Sequence, residues 1–167
     1  MYSFQPFPVL TSHRLQLKSF EKDDLPRIFS LRSSKEVAKY LDRPLMAHQQ
    51  EATSYLHKMQ SGVSEGEWII WGIHFKEEGF VGSICLWNLS KEKSTADIGY
   101  EMLPSFQGRG IMSEAIPLVL QYGFEEMGLH RIEAEVVAQN LPSIHLLEKF
   151  DFIYNDKAGK WERDIPL

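Results

Sequence analysis

The residues with the most recognisable chemistry lie in a short loop, QGRG at positions 107–110, between an apolar strand-like run and a long apolar-striped helix. Gly108 and Gly110 let the backbone turn with a positive φ and come close to a ligand. The first N–H groups of the helix have no partner inside it, and the helix dipole favours an anion beside them. The loop and the first helical residues therefore predict a phosphate-binding site.

Two carboxylates, Asp97 and Glu101, precede the loop on the strand that leads to it. Residues four apart on a strand lie on the same face, so we expect both side chains on one side of the sheet. Either carboxylate can accept a proton from a reacting group, directly or through a water molecule. The alternative is that both are solvated carboxylates on an exposed strand face.

Asn140 and Ser143 form a second candidate pair, at the start of a predicted helix over residues 140–149. An asparagine before a helix commonly accepts a hydrogen bond from a backbone N–H in the first turn, which is ordinary helix capping. A serine hydroxyl in the first turn can also donate a hydrogen bond to a ligand. Capping and ligand binding are compatible, so the sequence leaves both open.

The elements that must position these residues follow from the periodicity of apolar side chains. Alternation predicts a half-buried strand at 13–20, and helical spacing with capping residues predicts helices between positions 23 and 59. Three runs rich in β-branched and aromatic residues predict an antiparallel meander at 68–76, 80–88 and 95–103. The helix after the loop, a strand at 131–138, the helix at 140–149 and a strand pair near position 158 complete the order.

Composition limits the class of protein. With 167 residues, 43% apolar and 25% charged, the chain is expected to form a single domain over residues 1–167. No apolar run approaches the ~20 residues of a membrane span and no secretory signal is visible, so we expect a cytoplasmic protein that binds no membrane. A formal net charge of −5 argues against a nucleic-acid surface.

Cys85 is expected to be an inert buried thiol. No His, Cys, Asp or Glu set in the sequence has metal-ligand spacing, so no metal is expected.

Glycine loops between a strand and a helix bind dinucleotides, nucleoside triphosphates or coenzyme A. A dinucleotide fold prefers GxGxxG, but Ser113 occupies the third glycine position and the loop follows an antiparallel meander. A triphosphate loop needs Gly-Lys followed by Ser or Thr, which this sequence lacks.

With its order of elements and the segment QGRGIM, the sequence resembles the GCN5-related N-acetyltransferases from about position 10 to position 165. The segments IGYEM, FQGRGIMSEAI, YGFEEMGLHRIEA and NLPSIHLLEKFDF are most similar to the branch that acetylates N-terminal α-amino groups of ribosomal proteins. The resemblance implies an α+β fold with a mixed, mostly antiparallel central sheet, splayed between its fourth and fifth strands and flanked by helices. It also implies acetyl-CoA as co-substrate.

Two positions depart from the family pattern. Met112 occupies a loop position that is usually Gly or Ala, so its side chain must point away from the diphosphate. Asp151 stands where a glycine is usual, so a non-glycine residue must make that turn or the turn must differ in shape.

In this family the pantetheine arm of acetyl-CoA fills the opening between the splayed strands. The resemblance implies that backbone groups of Met102 and Leu103 pair with this arm, as an added strand would. Asn140 would face the same arm. The residues implied to hold the diphosphate are Gln107, Gly108, Arg109, Gly110, Ile111, Met112 and Ser113. Arg109 can add a charge-assisted contact or lie solvated.

The resemblance further implies direct attack of an amine on the thioester in a ternary complex. Many relatives protonate the departing thiolate with a tyrosine where this chain has Leu147, so Ser143, one turn earlier, is the expected donor. Asp97 is the preferred base, because acidic residues precede the IGY segment in similar sequences, and Glu101 is the second candidate. Backbone N–H groups at the end of the same strand are expected to stabilise the oxyanion.

A protein N-terminus is the expected acceptor, because an α-amino group has a pKa near 8 and needs only a modest base. Polyamines or aminoglycosides are the alternative acceptors, and an acyl-CoA-binding module without turnover is the alternative from another functional class. Tyr40 and Trp87 can border the acceptor pocket, although Trp87 and Tyr100 are most simply core residues. The exposed strand edges of such a fold also allow a homodimer.

Overall fold

The computed structural model describes residues 1–166, and strands within this range form its central sheet. The strands are β1 (Leu10–Thr11), β2 (Leu15–Lys18), β3 (Ile69–Phe75), β4 (Phe80–Ser90), β5 (Thr95–Met102), β6 (Arg131–Ala134), β7 (Ile153–Asn155) and β8 (Lys160–Asp164). They form one sheet in the order β1-β2-β3-β4-β5-β6-β8-β7. The predicted meander is β3, β4 and β5, and β1 is a short edge strand that was not expected from periodicity.

Helices cover both faces of this sheet. The α-helices within residues 1–166 are α1 (Leu25–Arg32), α2 (Lys35–Ala38), α3 (Gln49–Glu65), α4 (Ile111–Gln121) and α5 (Leu141–Lys149). Helix α3 extends beyond its predicted end at position 59, because the glycine that can end it with a positive φ is Gly66, at φ 72°. Helix α4 continues into one π-helical turn, Tyr122–Glu126. Across the described residues, no helix combines the length and the apolar character that a membrane span requires.

The opening in the sheet lies between β5 and β6, which run parallel, whereas the other neighbouring strands of the described sheet are antiparallel. Residues 95–97 of β5 pair with residues 131–133 of β6. Beyond Asp97, β5 continues to Met102 with no partner on that side. Because β1 adds one strand, the fourth and fifth predicted strands are β5 and β6, so the predicted splay and the mixed sheet are confirmed.

The core fills the space between the sheet and the helices on its two faces. On one face, the ring of Trp71, fully buried, lies edge-on to Tyr122 at 5.4 Å between centroids. On the other face, helices α1 and α3 pack together and bury Ile28 and Leu56. Burying an aliphatic side chain of this size contributes about 1.5–3 kcal/mol, so both layers hold the sheet in place beside the splay. Trp87, which was expected in the core, is 47% exposed.

Asp151 makes the turn that ends α5. Its φ is 63°, in the left-handed region, its N–H donates to the Glu148 carbonyl, and the Phe152 N–H donates to the Leu147 carbonyl. These two bonds form the Schellman arrangement that usually carries glycine at this position. Of the two alternatives left open by the sequence, the structure shows the first: a non-glycine residue makes this turn.

Candidate active site

The opening between β5 and β6 leads into a cavity of about 460 Å³. Its walls come from β5, the glycine loop and the start of α4, from the end of β6 and the start of α5, and from α2 and the residues after it. The predicted site residues that line it are Glu101, Met102, Gln107, Gly108, Gly110, Ile111, Met112, Ser113, Asn140 and Ser143. Asp97, Leu103 and Arg109 are not part of this lining.

The glycine loop has the geometry of an anion site. Gly108 and Gly110 have φ values of 76° and 74°, which confirms the predicted positive-φ turn. The first hydrogen bond of α4 runs from the Glu114 N–H to the Gly110 carbonyl, so the N–H groups of residues 111–113 have no acceptor inside the helix. A Cβ added at Gly108 would meet no atom within 4 Å, so a ligand can approach the backbone there. These features fit a diphosphate.

Met112 and Arg109 differ in their exposure to solvent. Met112 is buried and belongs to the core. Arg109 is exposed, with its guanidinium 5.0 Å from the centroid of the Phe106 ring. Of the two roles left open for Arg109, its position agrees with a solvated arginine at the edge of the loop.

The end of β5 offers backbone groups to the cleft. The Leu103 N–H donates to the Val81 carbonyl on β4 at 2.9 Å, so Leu103 is removed from the candidate donors to a ligand or an oxyanion. The neighbouring Met102 carbonyl lies on the cleft side, where it accepts a hydrogen bond from Gln107 Nε2 at 3.0 Å. Met102 is therefore the residue whose main chain faces the opening.

Ser143 is a buried residue of the cavity lining. It is 7% exposed, and its Oγ is 2.6 Å from the hydroxyl oxygen of Tyr100. Asn140 caps α5, because its Oδ1 accepts a hydrogen bond from the Ser143 N–H at 3.3 Å, while Asn140 also lines the cavity. Burial raises the pKa of Tyr100 and outweighs the opposite effect of the bond to Ser143, so Tyr100 is protonated at neutral pH.

Tyr100 was expected to be a core residue, and its contact with Ser143 was not predicted. Strand alternation directs Tyr100 to the face opposite Glu101, but only the packing of α5 on that face brings Ser143 to its hydroxyl. Tyr40 lines the cavity on the α2 side, as predicted, whereas Trp87 does not.

Glu101 is held by two arginines that the sequence analysis did not identify. Arg32 Nη1 donates to Glu101 Oε1 at 2.9 Å, and Arg43 Nη2 donates to Glu101 Oε2 at 2.8 Å. The Glu101 side chain is only 8% exposed. Both carboxylate oxygens of Glu101 are therefore already engaged by guanidinium groups inside the protein.

Asp97 is also engaged in an ion pair. Lys160 Nζ lies 3.1 Å from Asp97 Oδ2 and 3.1 Å from Glu133 Oε2, and Asn88 Nδ2 donates to Asp97 at 3.2 Å. Burial lowers the pKa of Lys160, but the hydrogen bonds to Asp97 and Glu133 outweigh it and raise the pKa, so the lysine is charged at neutral pH. The position of Asp97, outside the cavity and bonded to Lys160, argues against the predicted role as base. Spacing places Asp97 on the same face as Glu101, but it does not reveal the lysine that packs there.

The described residues also bear on metal binding and on thiol reactivity. Within residues 1–166, no three His, Cys, Asp or Glu side chains are grouped so that they could hold a metal ion. Burial raises the pKa of the Cys85 thiol to about 12, and the charge of Glu101 adds to this effect. Cys85 is therefore a protonated thiol at neutral pH, as expected for a structural cysteine.

Known proteins resemble this chain in sequence and in fold. A family model described as an acetyltransferase (GNAT) domain matches residues 14–153. YoaA, an uncharacterised N-acetyltransferase of Bacillus subtilis (strain 168), is 34% identical over 147 residues, which cover 87% of this chain and 83% of YoaA.

Solved structures extend the likeness to the fold. RimL, described as a ribosomal L7/L12 alpha-N-protein acetyltransferase in complex with coenzyme A, has a TM-score of 0.81 at 19% identity, covering 95% of this chain and 98% of RimL. The spermidine N-acetyltransferase of Vibrio cholerae, in complex with CoA and spermine, has a TM-score of 0.77 at 21% identity, covering 86% and 83%. At these identities the structural likeness establishes the fold.

Proposed function

Because the chain belongs to the GNAT acetyltransferase family, we propose that it transfers the acetyl group of acetyl-CoA to the α-amino group at the N-terminus of a protein. Acyl transfer is the activity of the family, and the acceptor is the new element of the proposal. The proposal rests on the cavity of about 460 Å³, which joins the free N–H groups of the glycine loop to the Ser143 hydroxyl. A carrier with a diphosphate at one end and a thioester at the other fits this arrangement.

In this proposal, the N–H groups of the loop and of residues 111–113 hold the diphosphate, aided by the dipole of α4. The main chain of Met102 faces the pantetheine arm, and Gln107 releases the Met102 carbonyl when the arm binds. The acetyl group then lies near the start of α5, where Ser143 is the third helical residue. The dipole of α5 favours negative charge on the sulfur there.

The reaction needs a neutral amine, a stabilised oxyanion and a stabilised thiolate. The amine nitrogen attacks the thioester carbon, and the Met102 N–H is placed to stabilise the oxyanion. The C–S bond then breaks, the sulfur takes the bonding electron pair, and Ser143 donates a hydrogen bond to it. The proton released by the nitrogen leaves to water in the open cavity, beside Glu101.

The engagement of both strand carboxylates favours an α-amine as acceptor. Glu101 is paired with two arginines. Burial raises the pKa of Asp97 in spite of its bond to Lys160, but Asp97 lies outside the cavity, so neither residue is an unpaired carboxylate beside the acceptor. At pH 7.5 about a quarter of an α-amino group is neutral, compared with about one part in a thousand of an alkylamine with a pKa near 10.4. In a site without a strong base, an N-terminus therefore offers roughly 200 times more of the reactive neutral amine than an alkylamine does.

Polyamines are the second candidate acceptors, because the fold is shared with a spermidine N-acetyltransferase. The two candidates separate in an assay of free thiol release from acetyl-CoA. The matched acceptors are a short lysine-containing peptide with a free N-terminus and the same peptide with its N-terminus blocked, beside spermidine and an aminoglycoside. We expect release with the free peptide and little with the other three.

Faster release with spermidine or the aminoglycoside would indicate that the acceptor is a small amine and not a protein N-terminus. Equal release with the free and the blocked peptide would indicate a lysine acceptor. Thermal stabilisation by acetyl-CoA without release on any acceptor would indicate a binding module without turnover.

A further inference from the structure

A tyrosine hydroxyl from β5 and a serine hydroxyl from α5 meet inside the cavity. Tyr100 Oη and Ser143 Oγ are 2.6 Å apart, and both residues line the cavity. Within residues 1–166, each hydroxyl has the other as its hydrogen-bond partner. The pair joins the two elements that border the opening in the sheet, although the residues are 43 positions apart in the chain.

The chemistry of the two hydroxyls decides which of them donates. A phenol has a pKa near 10 and is a far stronger acid than an aliphatic alcohol, so it is the better donor, and the serine oxygen is the better acceptor. Because burial raises the pKa of Tyr100, its proton is retained throughout the neutral range. When Tyr100 donates to Ser143 Oγ, the Ser143 hydrogen cannot point back at Tyr100.

We infer that Tyr100 is a positioning residue, which donates to Ser143 and thereby directs the Ser143 hydrogen into the cavity, toward the sulfur of the departing thiolate. This inference rests on the proposed function. The Asn140 cap fixes the Ser143 backbone, and Tyr100 fixes its hydroxyl, so the serine is held from both sides. A hydrogen bond that is itself polarised by a second donor is strengthened.

Proton and electron movements are simple in this arrangement. As the C–S bond breaks, the sulfur takes the electron pair and accepts a hydrogen bond from Ser143, while Tyr100 keeps donating to Ser143. Neither hydroxyl loses its proton, because the proton released by the attacking nitrogen goes to water. The pair thus lowers the energy of the thiolate without entering the bond changes.

The first test measures steady-state kinetics of Tyr100→Phe, Ser143→Ala and the double variant. We expect Tyr100→Phe to lower kcat about tenfold, which corresponds to the loss of roughly one hydrogen bond to a charged group. The KM for acetyl-CoA should change less than twofold. Ser143→Ala should lower kcat at least as much, and the double variant should be no slower than Ser143→Ala. Tyr122→Phe is the matched control, because it removes a tyrosine hydroxyl that does not line the cavity, and it should leave kcat unchanged.

Losses that multiply in the double variant would overturn the inference, since Tyr100 would then act independently of Ser143. A larger effect on KM than on kcat would also overturn it, because a residue that only shapes the pocket changes binding first.

The second test needs no acceptor. The thiol pKa of coenzyme A bound to the protein is measured from the ultraviolet absorbance of its thiolate, in the wild type and in the same variants. We expect the bound thiol pKa to be about 0.5–1 unit lower in the wild type than in Tyr100→Phe or Ser143→Ala, because each removes stabilisation of the thiolate.

These outcomes separate the two proposals. Equal thiol pKa values in the wild type and Tyr100→Phe would overturn the role of Tyr100, even if the wild type acetylates peptides. A lowered thiol pKa with no acetyl transfer to any amine would overturn the proposed function and leave the hydroxyl pair standing. Absence of coenzyme A binding would overturn both.

Discussion

Gly110 and Gly128 have similar positive φ values, 74° and 69°, but of the two only Gly110 lines the cavity. A residue with a Cβ is disfavoured in the left-handed region by about 1–2 kcal/mol, more if it is β-branched. The same substitution at these two positions therefore separates backbone strain from ligand binding.

We expect Gly110→Val and Gly128→Val each to lower the free energy of unfolding by at least about 1–2 kcal/mol. Gly110→Val should weaken acetyl-CoA binding tenfold or more, because relief of the strain moves the N–H groups of the loop, whereas Gly128→Val should change affinity less than twofold. Titration calorimetry measures both. An unchanged dissociation constant for Gly110→Val would contradict the assignment of the loop to the diphosphate.

Asp151 has a backbone conformation that is better suited to glycine. At φ 63°, with an 82% exposed side chain and only a 4.0 Å contact to Arg163, it has little to lose on replacement. Asp151→Gly should raise the free energy of unfolding by about 0.5–1 kcal/mol, the relief of strain less the greater freedom of glycine in the unfolded chain.

Urea unfolding measures this change, and Asp151→Ala is the control, because it keeps the Cβ and should not stabilise the protein. Equal stabilisation by Ala and Gly would show that the aspartate charge, and not its backbone conformation, is unfavourable.

At the scale of elements, Glu114 connects the start of α4 to the turn between β1 and β2. Its carboxylate accepts a hydrogen bond from the Ser12 hydroxyl, from the Arg14 N–H at 3.0 Å and from Arg14 Nε at 2.9 Å. The Glu114 side chain is 22% exposed, so solvent only partly screens this pair. The connection holds the helix whose first residues form the glycine-loop site.

This connection should depend on pH. Burial raises the pKa of Glu114, but the bonds from Ser12 and Arg14 outweigh it, so the pKa in the folded state lies below the ordinary value of 4.5. A lowered carboxyl pKa stabilises the fold fully above the unfolded-state value, and the stabilisation is lost as the pH falls through the folded-state pKa.

We therefore expect Glu114→Gln to be less stable than the wild type by about 1–3 kcal/mol at pH 7, with the difference shrinking below about pH 4.5. Denaturant unfolding across this pH range measures the difference. Glu125→Gln, at an exposed carboxylate, is the control and should stay within about 0.5 kcal/mol of the wild type throughout. A Glu114→Gln difference that is constant with pH would contradict the charge-based explanation.

At the scale of the whole molecule, the cavity joins β5 and the glycine loop to β6, α5 and the segment after α2. A ligand that contacts all of them stabilises the folded state by mass action, by about 2.7 kcal/mol at a concentration of 100 Kd. For a domain of this size each kcal/mol raises Tm by about 2–4 °C, so acetyl-CoA should raise it by roughly 5–10 °C.

The matched control for this thermal shift is the acetyl thioester of pantetheine, which lacks the diphosphate. At the same concentration it should give a much smaller shift, because it cannot use the glycine loop. Equal shifts with both compounds would place the binding energy elsewhere in the cavity.

The sequence by itself determined the features that depend on neighbouring residues. The positive-φ glycines, the cap that Asn140 can form and the three-stranded meander follow from local hydrogen bonding and side-chain period. The glycine loop followed by the Asn140 segment also indicated the family. The resemblance to that family implied the splayed mixed sheet.

Only the tertiary structure decided which side chains meet. Glu101 is paired with Arg32 and Arg43, which lie 69 and 58 positions away, and Asp97 with Lys160, which lies 63 positions away. The Tyr100 contact with Ser143 spans 43 positions. Period and spacing assign a residue to a face of a strand, but the charge or hydroxyl that packs against that face comes from another element. The chemistry of a carboxylate depends on that partner, which is why the base could not be assigned from spacing alone.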